Sequence, residues 1–255
     1  MQTSGCNSVE FYGVLIMKKY QQIEQQRRDA TALIYDEWYR ASKGILFDIR
    51  ERELFRDIAG KCHGGLFVDL GSGTGRITEV IATFAKLTIA IDLSCISLQI
   101  LKQKSLPNCV PICTEVSSGI PLRDASVDLV VSCQVLQHMR EDEIISTLRE
   151  SYRILRLGGI FAFSVYNLHY WRFGGEMERC GVDGSYDRRF SVDDIYYLAK
   201  HNNFHIQYLG YYKALPFRYL RNKVWLVFDK LVCSLCPVNK KLATYIFAVF
   251  KKGGQ

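Results

Sequence analysis

The stretch Leu66-Phe67-Val68-Asp69-Leu70-Gly71-Ser72-Gly73-Thr74-Gly75-Arg76 decides the fold. Leu66, Phe67, Val68 and Leu70 suit a short strand buried on both faces. Gly71, Gly73 and Gly75 allow a tight turn and leave no Cβ where a ligand must approach. A helix then starts, and its first amides point at whatever sits in the turn. The nearest standard pattern is the dinucleotide fingerprint G-x-G-x-x-G, but here the third glycine comes one residue early and Arg76 takes the expected glycine position. Asp69, inside the strand, suits a ligand carrying an ammonium group better than one carrying a pyrophosphate.

Downstream segments repeat the strand-then-helix rhythm. Leu87-Thr88-Ile89-Ala90-Ile91 ends in Asp92, an acid placed at a strand tip to accept ribose hydroxyls. Val110-Pro111-Ile112-Cys113 leads to Glu115-Val116, and Val127-Asp128-Leu129-Val130-Val131-Ser132-Cys133 to Gln134-Val135-Leu136-Gln137-His138. Leu155-Arg156-Leu157-Gly158-Gly159 precedes a fifth strand, Ile160 to Asn167. Such alternation predicts a parallel sheet with helices on both faces. DLGSGTGR, AIDLS, IPLRDASVDLVVSCQVLQH and RILRLGGIFAFSVYN follow one another in the order and spacing of a known family. From about Leu66 to Asn167 the chain resembles the class I S-adenosylmethionine-dependent methyltransferases, in particular the type-11 branch that includes quinone-ring methyltransferases.

The resemblance implies a Rossmann-like α/β fold: a seven-stranded, mostly parallel sheet with an antiparallel C-terminal hairpin. Phe204 to Tyr212 and Tyr245 to Phe250 would be strands six and seven. It implies S-adenosyl-L-methionine as cofactor and S-adenosyl-L-homocysteine as product. Asp69 would neutralise the methionine ammonium, directly or through water. The loop of Gly71, Ser72, Gly73, Thr74 and Gly75, with Arg76, would lie under the methionine part. Asp92 would hold the ribose and Leu93 one face of adenine. Glu115 and the Val116 amide would read the adenine edge, where the family more often has aspartate. Cys133, Gln134 and Val135 would line the methionine channel. In similar enzymes an N-terminal helix folds over the cofactor, so Tyr35, Trp38 or Tyr39 would either face the sulfonium or only pack the helix on the sheet.

Three side chains are candidates for catalysis: His138 after strand four, and Tyr166 and His169 after strand five. His138 alternatively makes a structural hydrogen bond at a helix start. An Asn-Pro-Pro-Tyr-type tetrad is absent after strand four, which disfavours planar bases and glutamine amides as acceptors.

At 255 residues, one domain is expected to bury roughly three quarters of its surface. We divide it into a leader without regular structure (1–16), a helical lid (17–60), the cofactor core (66–167) and an insertion between strands six and seven (213–241). Residues 168–189 form an irregular connection at the ligand edge of the sheet, where long loops carry function. No apolar run reaches the length of a membrane span. Nine scattered cysteines and no evident secretory signal suit a reducing cytoplasm. The lone Cys233-Ser234-Leu235-Cys236 lacks the further ligands a zinc site needs, so no metal is expected. The net charge of +7 comes from residue 201 onward, where nine bases face one acid, Asp229. That tail fits a solvated face, weak contact with an anionic membrane, or nucleic acid; no RNA-binding module is visible, which disfavours the last. The insertion, apolar and basic, is expected to cover the acceptor pocket. The leading function is methyl transfer to an O, N or C atom of a small-molecule acceptor, with apolar or aromatic acceptors favoured. The alternatives are a tRNA or protein methyltransferase and a non-catalytic cofactor-binding protein.

Overall fold

The computed structural model describes residues 7–40, 45–181, 185–214, 223–234 and 239–254. Strands β1 (Leu66–Leu70), β2 (Leu87–Asp92), β3 (Cys109–Cys113), β4 (Val127–Cys133) and β5 (Leu155–Tyr166) pair in parallel. A short hairpin follows, β6 (Glu178–Cys180) and β7 (Tyr186–Arg188). Then β8 (Phe204–Tyr212) and β9 (Tyr245–Lys252) add antiparallel, giving the order β3-β2-β1-β4-β5-β9-β8. This is the expected seven-stranded sheet with its C-terminal hairpin. Strand order reverses between β1 and β4, and a ligand crevice opens at that point beyond the strands' carboxyl ends.

The sheet sorts alternate residues onto two cores, as a period of two requires. Val68, Leu70 and Val130 face a core closed by Ile144 and Leu148 of α5 (Glu141–Ile154) and by Ile195 and Leu198 of α6 (Val192–His201). Phe67, Leu129 and Val131 face the other, closed by Phe47 and Phe55 of α2 (Ile45–Lys61) and by Ile81 of the short α3 (Thr78–Ala82). The sheet thereby holds the tips of β1, β2 and β4 rigidly in one crevice.

Three observations differ from the sequence expectations. α1 runs from Asn7 to Arg40, back through the segment read as a leader; no proline interrupts that stretch, so one helix propagates through it. Residues 1–6 lie outside the described residues. The connection after β5 is not wholly irregular, because it contains the β6–β7 hairpin. Cys95 and Cys113, expected as free thiols, form a disulfide. Cys113 pairs with Asp92 across β2–β3, and Cys95 opens α4 (Cys95–Gln103) three residues past Asp92. The Cα atoms therefore fall 5.4 Å apart, within bridging range. The insertion holds α7 (Lys223–Ser234) and α8 (Asn239–Leu242); Arg218, Arg221 and Cys236 lie outside the described residues. The buried Asp229 of α7 accepts the Ala214 amide at 2.7 Å, and Lys230 meets Glu53 of α2 at 2.7 Å. Among the described residues no helix is long and apolar enough to cross a membrane.

Candidate cofactor and acceptor site

The crevice is a pocket roofed by α1 and floored by the turns after β1, β2, β3 and β4. Its floor begins with the glycine loop. Gly71 and Ser72 donate their amides to the Ile91 carbonyl at 2.8 and 3.0 Å, tying the loop to β2. Gly71, Gly73 and Gly75 all have positive φ, the region where side chains are strained. A Cβ on Gly71 would stand 2.3 Å from Val135, whereas one on Gly73 would meet nothing within 4 Å. Gly73 thus presents bare backbone to open space. Ser72 Oγ, also in the pocket lining, is buried and has no hydrogen-bond partner among the described residues.

Two buried carboxylates flank this loop. Asp69 accepts from Thr78 Oγ1 at 2.7 Å. Burial pushes its pKa up to about 7, with Asp92 adding to the rise and Thr78 and Arg76 opposing it. Asp92 accepts the Gly73 amide at 2.7 Å and the Ser94 amide at 2.8 Å, one on each oxygen. Burial raises its pKa too, against the two amide bonds. An ionised carboxylate held out of water favours a cation or hydroxyl donors beside it. Leu93, Glu115 and Val116 complete the wall on this side. Glu115 turns its carboxylate toward Ser117 and Ser118, the latter at 3.0 Å.

Arg76 lines the pocket but is tied to the protein. It bonds Asp48 at 2.9 Å and the fully buried Glu51 at 2.7 Å, and stacks 4.1 Å over Tyr39. Glu51 also accepts from Tyr212 at 2.6 Å and from Gln134 Nε2 at 2.5 Å. This network fixes Gln134, whose backbone adopts a φ of 58°. Cys133 lies 3.4 Å from Arg76 Nη2, and burial drives its thiol pKa far upward, keeping it protonated.

The roof was only partly expected. Tyr35 lines the pocket; Tyr39 is buried behind it, 3.3 Å from the Tyr35 hydroxyl, and Trp38 is exposed. Glu24, Arg28, Thr31 and Ala32 also line it. Their spacing puts them with Tyr35 on one face of α1, a pattern that reads as a solvated helix face in the sequence because its members are polar. Asp36 pins the roof to Thr74 Oγ1 at 2.5 Å and to Lys104 at 2.8 Å, and Asp29 reaches Ser94 Oγ at 2.5 Å. Among the described residues the cover is α1, and no described residue of the insertion lines this pocket.

Of the catalytic candidates, only His138 lines the pocket. Its Nδ1 is 2.9 Å from Asp187 Oδ1, a partner that nothing in the local sequence signals. Tyr166 is not part of the pocket lining; it stacks on Tyr245, and burial raises its pKa. His169 is exposed and away from the pocket: the Asn167 side chain accepts its amide at 3.1 Å and holds a turn that carries it outward.

Known proteins resemble this chain over the cofactor core. A family model described as a methyltransferase domain, type 11, matches residues 68–163. A probable S-adenosylmethionine-dependent methyltransferase of Mycolicibacterium smegmatis is 30% identical over 118 residues, covering 46% of this chain and 44% of the relative. An uncharacterized methyltransferase-like protein of Schizosaccharomyces pombe is 36% identical over 95 residues, covering 37% and 35%. The chain thus spans less than half the length of these relatives. Among solved structures, the 1,6-didemethyltoxoflavin-N1-methyltransferase of Burkholderia thailandensis superposes with a TM-score of 0.60 at 16% identity, covering 100% of this chain and 94% of that one. That likeness speaks for the fold. The four motifs and the family match fall on the same segment, so residues 68–163 carry a methyltransferase domain of the type-11 kind, similar there to known S-adenosylmethionine-dependent methyltransferases.

Proposed function

We propose that this protein moves a methyl group from S-adenosylmethionine to a small-molecule acceptor by in-line displacement. The observation that carries the reading is the pair of buried carboxylates, Asp69 and Asp92, set around a glycine loop whose Gly73 faces open space. The residues fit the cofactor. Asp69 suits its ammonium, Asp92 its ribose hydroxyls, and the unpartnered Ser72 Oγ a further polar group. Leu93 and Val116 offer apolar walls for adenine, and Cys133, Gln134 and Val135 a channel for the methionine part. The cofactor supplies an already activated methyl electrophile on a positive sulfur. What the protein adds is alignment and the exclusion of water, and the α1 roof supports both.

A small acceptor agrees with a pocket whose remaining wall combines Ala32, Tyr35 and Met139 with Glu24, Arg28, Thr31, His138 and Glu143. The Burkholderia enzyme, whose structure holds 1,6-didemethyltoxoflavin and S-adenosylhomocysteine, is in keeping with it. The test supplies methyl-labelled cofactor with either a small-metabolite extract or bulk tRNA. Label appearing in a small-molecule product supports the reading. Label confined to tRNA or to protein overturns the acceptor class.

A further inference from the structure

The Cys95–Cys113 bridge backs one wall of the pocket. Cys95 comes two residues after Leu93, and Cys113 one residue before Thr114. Leu93, Thr114, Glu115 and Val116 line the pocket, and neither cysteine does. The bridge thus joins two wall segments from behind, with Cys113 Sγ 3.7 Å from the Leu93 carbonyl. Both cysteines are exposed, so a dithiol in solution can reach the sulfurs.

The joined segments differ in what else holds them. The Thr114 amide donates to the Asp92 carbonyl at 3.0 Å, so the tips of β2 and β3 stay paired with or without the bridge. The first turn of α4 leans on Ser94. Its Oγ accepts the Ser97 amide at 3.0 Å and donates to Asp29 of α1 at 2.5 Å. Its own amide donates to Asp92 at 2.8 Å. Ser94 is therefore the joint between a floor carboxylate and the roof, and the bridge anchors the residue next to it. Opening the bridge lets the start of α4 shift against β3, and that shift acts on Asp92 and on the roof tether together. Cys109, on the same strand as Cys113, is a poor competitor for the bridge. Burial, with Asp69 adding to it, pushes its pKa up to about 11, so little thiolate forms there near neutral pH.

Resting on the reading of the pocket as a cofactor site, we infer that Cys95–Cys113 is a reversible redox modification site that sets cofactor affinity, the bridged form binding S-adenosylmethionine more tightly than the reduced form. The reductant is a dithiol. One of its thiolates attacks a bridge sulfur, the S–S bond breaks, and a mixed disulfide forms. The second thiol of the reductant then displaces the protein sulfur. The reductant leaves as its own disulfide, and its two electrons and two protons stay on Cys95 and Cys113 as thiols.

S-adenosylhomocysteine titrated calorimetrically into the air-oxidised protein, into the protein after dithiothreitol, and again after reoxidation with diamide tests this. Affinity is expected to fall about 2–10-fold on reduction, the equivalent of one hydrogen bond of lost preorganisation, and to return on reoxidation. Thiol alkylation read by mass spectrometry is expected to place the labels gained on reduction at Cys95 and Cys113. The double variant Cys95→Ser/Cys113→Ser is expected to bind as the reduced form does and to ignore dithiothreitol. Equal affinity in the two wild-type states, a bridge that excess dithiothreitol leaves closed in the folded protein, or a double variant that still responds overturns the inference. If neither wild-type state binds S-adenosylhomocysteine, the cofactor reading itself fails. Hydrogen exchange on the free protein then decides the latch: faster exchange in the first turn of α4 and in α1 after reduction supports it, and unchanged exchange overturns it.

Discussion

The two halves of the pocket are built differently. The floor is made by residues that stand next to one another in sequence: Asp69 in β1 with Gly71 to Thr74 after it, and Asp92 at the end of β2 with Leu93 after it. The roof and the acceptor side bring together Glu24, Arg28 and Tyr35 of α1, His138 after β4 and Asp187 of β7. The floor is preset by the sheet and by backbone bonds such as those from Gly73 and Ser94 to Asp92. The roof is held by side chains, chiefly Asp36 to Thr74 and Asp29 to Ser94. The lesson is a division of labour: a rigid floor that selects the cofactor, and a tethered cover that selects what meets it.

The largest effect is expected from Gly71→Ala. The new Cβ would stand 2.3 Å from Val135 at a positive φ of 69°. Strain and overpacking together should cost about 1–3 kcal/mol of stability and displace the floor. Thermal melting should show the loss, and titration should show cofactor binding abolished; an unchanged melt would mean the floor is not preset.

Asp92→Ala comes next. It should cost about 1–3 kcal/mol of cofactor affinity, from ribose hydroxyls left without a charged acceptor, while α1 keeps its contacts. An unchanged dissociation constant in the folded variant would remove Asp92 from the floor.

A pH series sharpens the comparison further. Because the Asp69 pKa is raised to about 7, the free protein holds that carboxyl mostly protonated below this value. An ammonium-bearing ligand prefers it ionised, so binding below pH 7 must release a proton. Affinity should therefore rise from pH 5.5 to 7, by at most about tenfold per unit, and the rise should vanish in Asp69→Asn. The stability of the free protein moves the opposite way. The folded state binds the extra proton between the unfolded value near 3.8 and the folded value near 7, so stability falls with rising pH across that window. Titration in buffers of different ionisation heat would detect the proton; a flat profile in the wild type would contradict the burial argument.

The smallest effect is expected at the roof. Asp36→Ala removes the bonds to Thr74 and Lys104 and should weaken cofactor binding by about 0.5–1.5 kcal/mol, mainly through faster release. Hydrogen exchange should speed up in α1 and stay unchanged in β1 and β2. Equal acceleration in the floor would mean that the two halves are one unit.

This contrast also explains what could be read from the chain. The strands and the residues of the floor follow from strand patterns and from turns a few residues long, while the antiparallel placing of the last two strands comes from the family resemblance. The carboxylates of Asp69 and Asp92 were legible because each ends or interrupts an apolar strand. The roof residues Glu24 and Arg28 were not, because a polar stripe on a helix looks solvated whether it faces water or a pocket. The sequence reading makes Arg76 a ligand contact, yet Glu51 and Asp48, which hold it, stand 25 and 28 residues upstream on α2. Asp187 was missed for the same reason: nothing near it shows that the β6–β7 hairpin carries it to His138. The disulfide Cys95–Cys113 depends on the pairing of β2 with β3, which spacing alone does not reveal.

The most direct test of the central claim is a calorimetric titration of the wild-type protein with S-adenosylhomocysteine and, separately, with NAD. The floor has one residue too few between its last two glycines for the dinucleotide fingerprint, and carries Asp69 where an ammonium would sit. The account predicts single-site binding of S-adenosylhomocysteine, weakened by Asp92→Ala, and no heat with NAD; binding of NAD with no response to S-adenosylhomocysteine would contradict it.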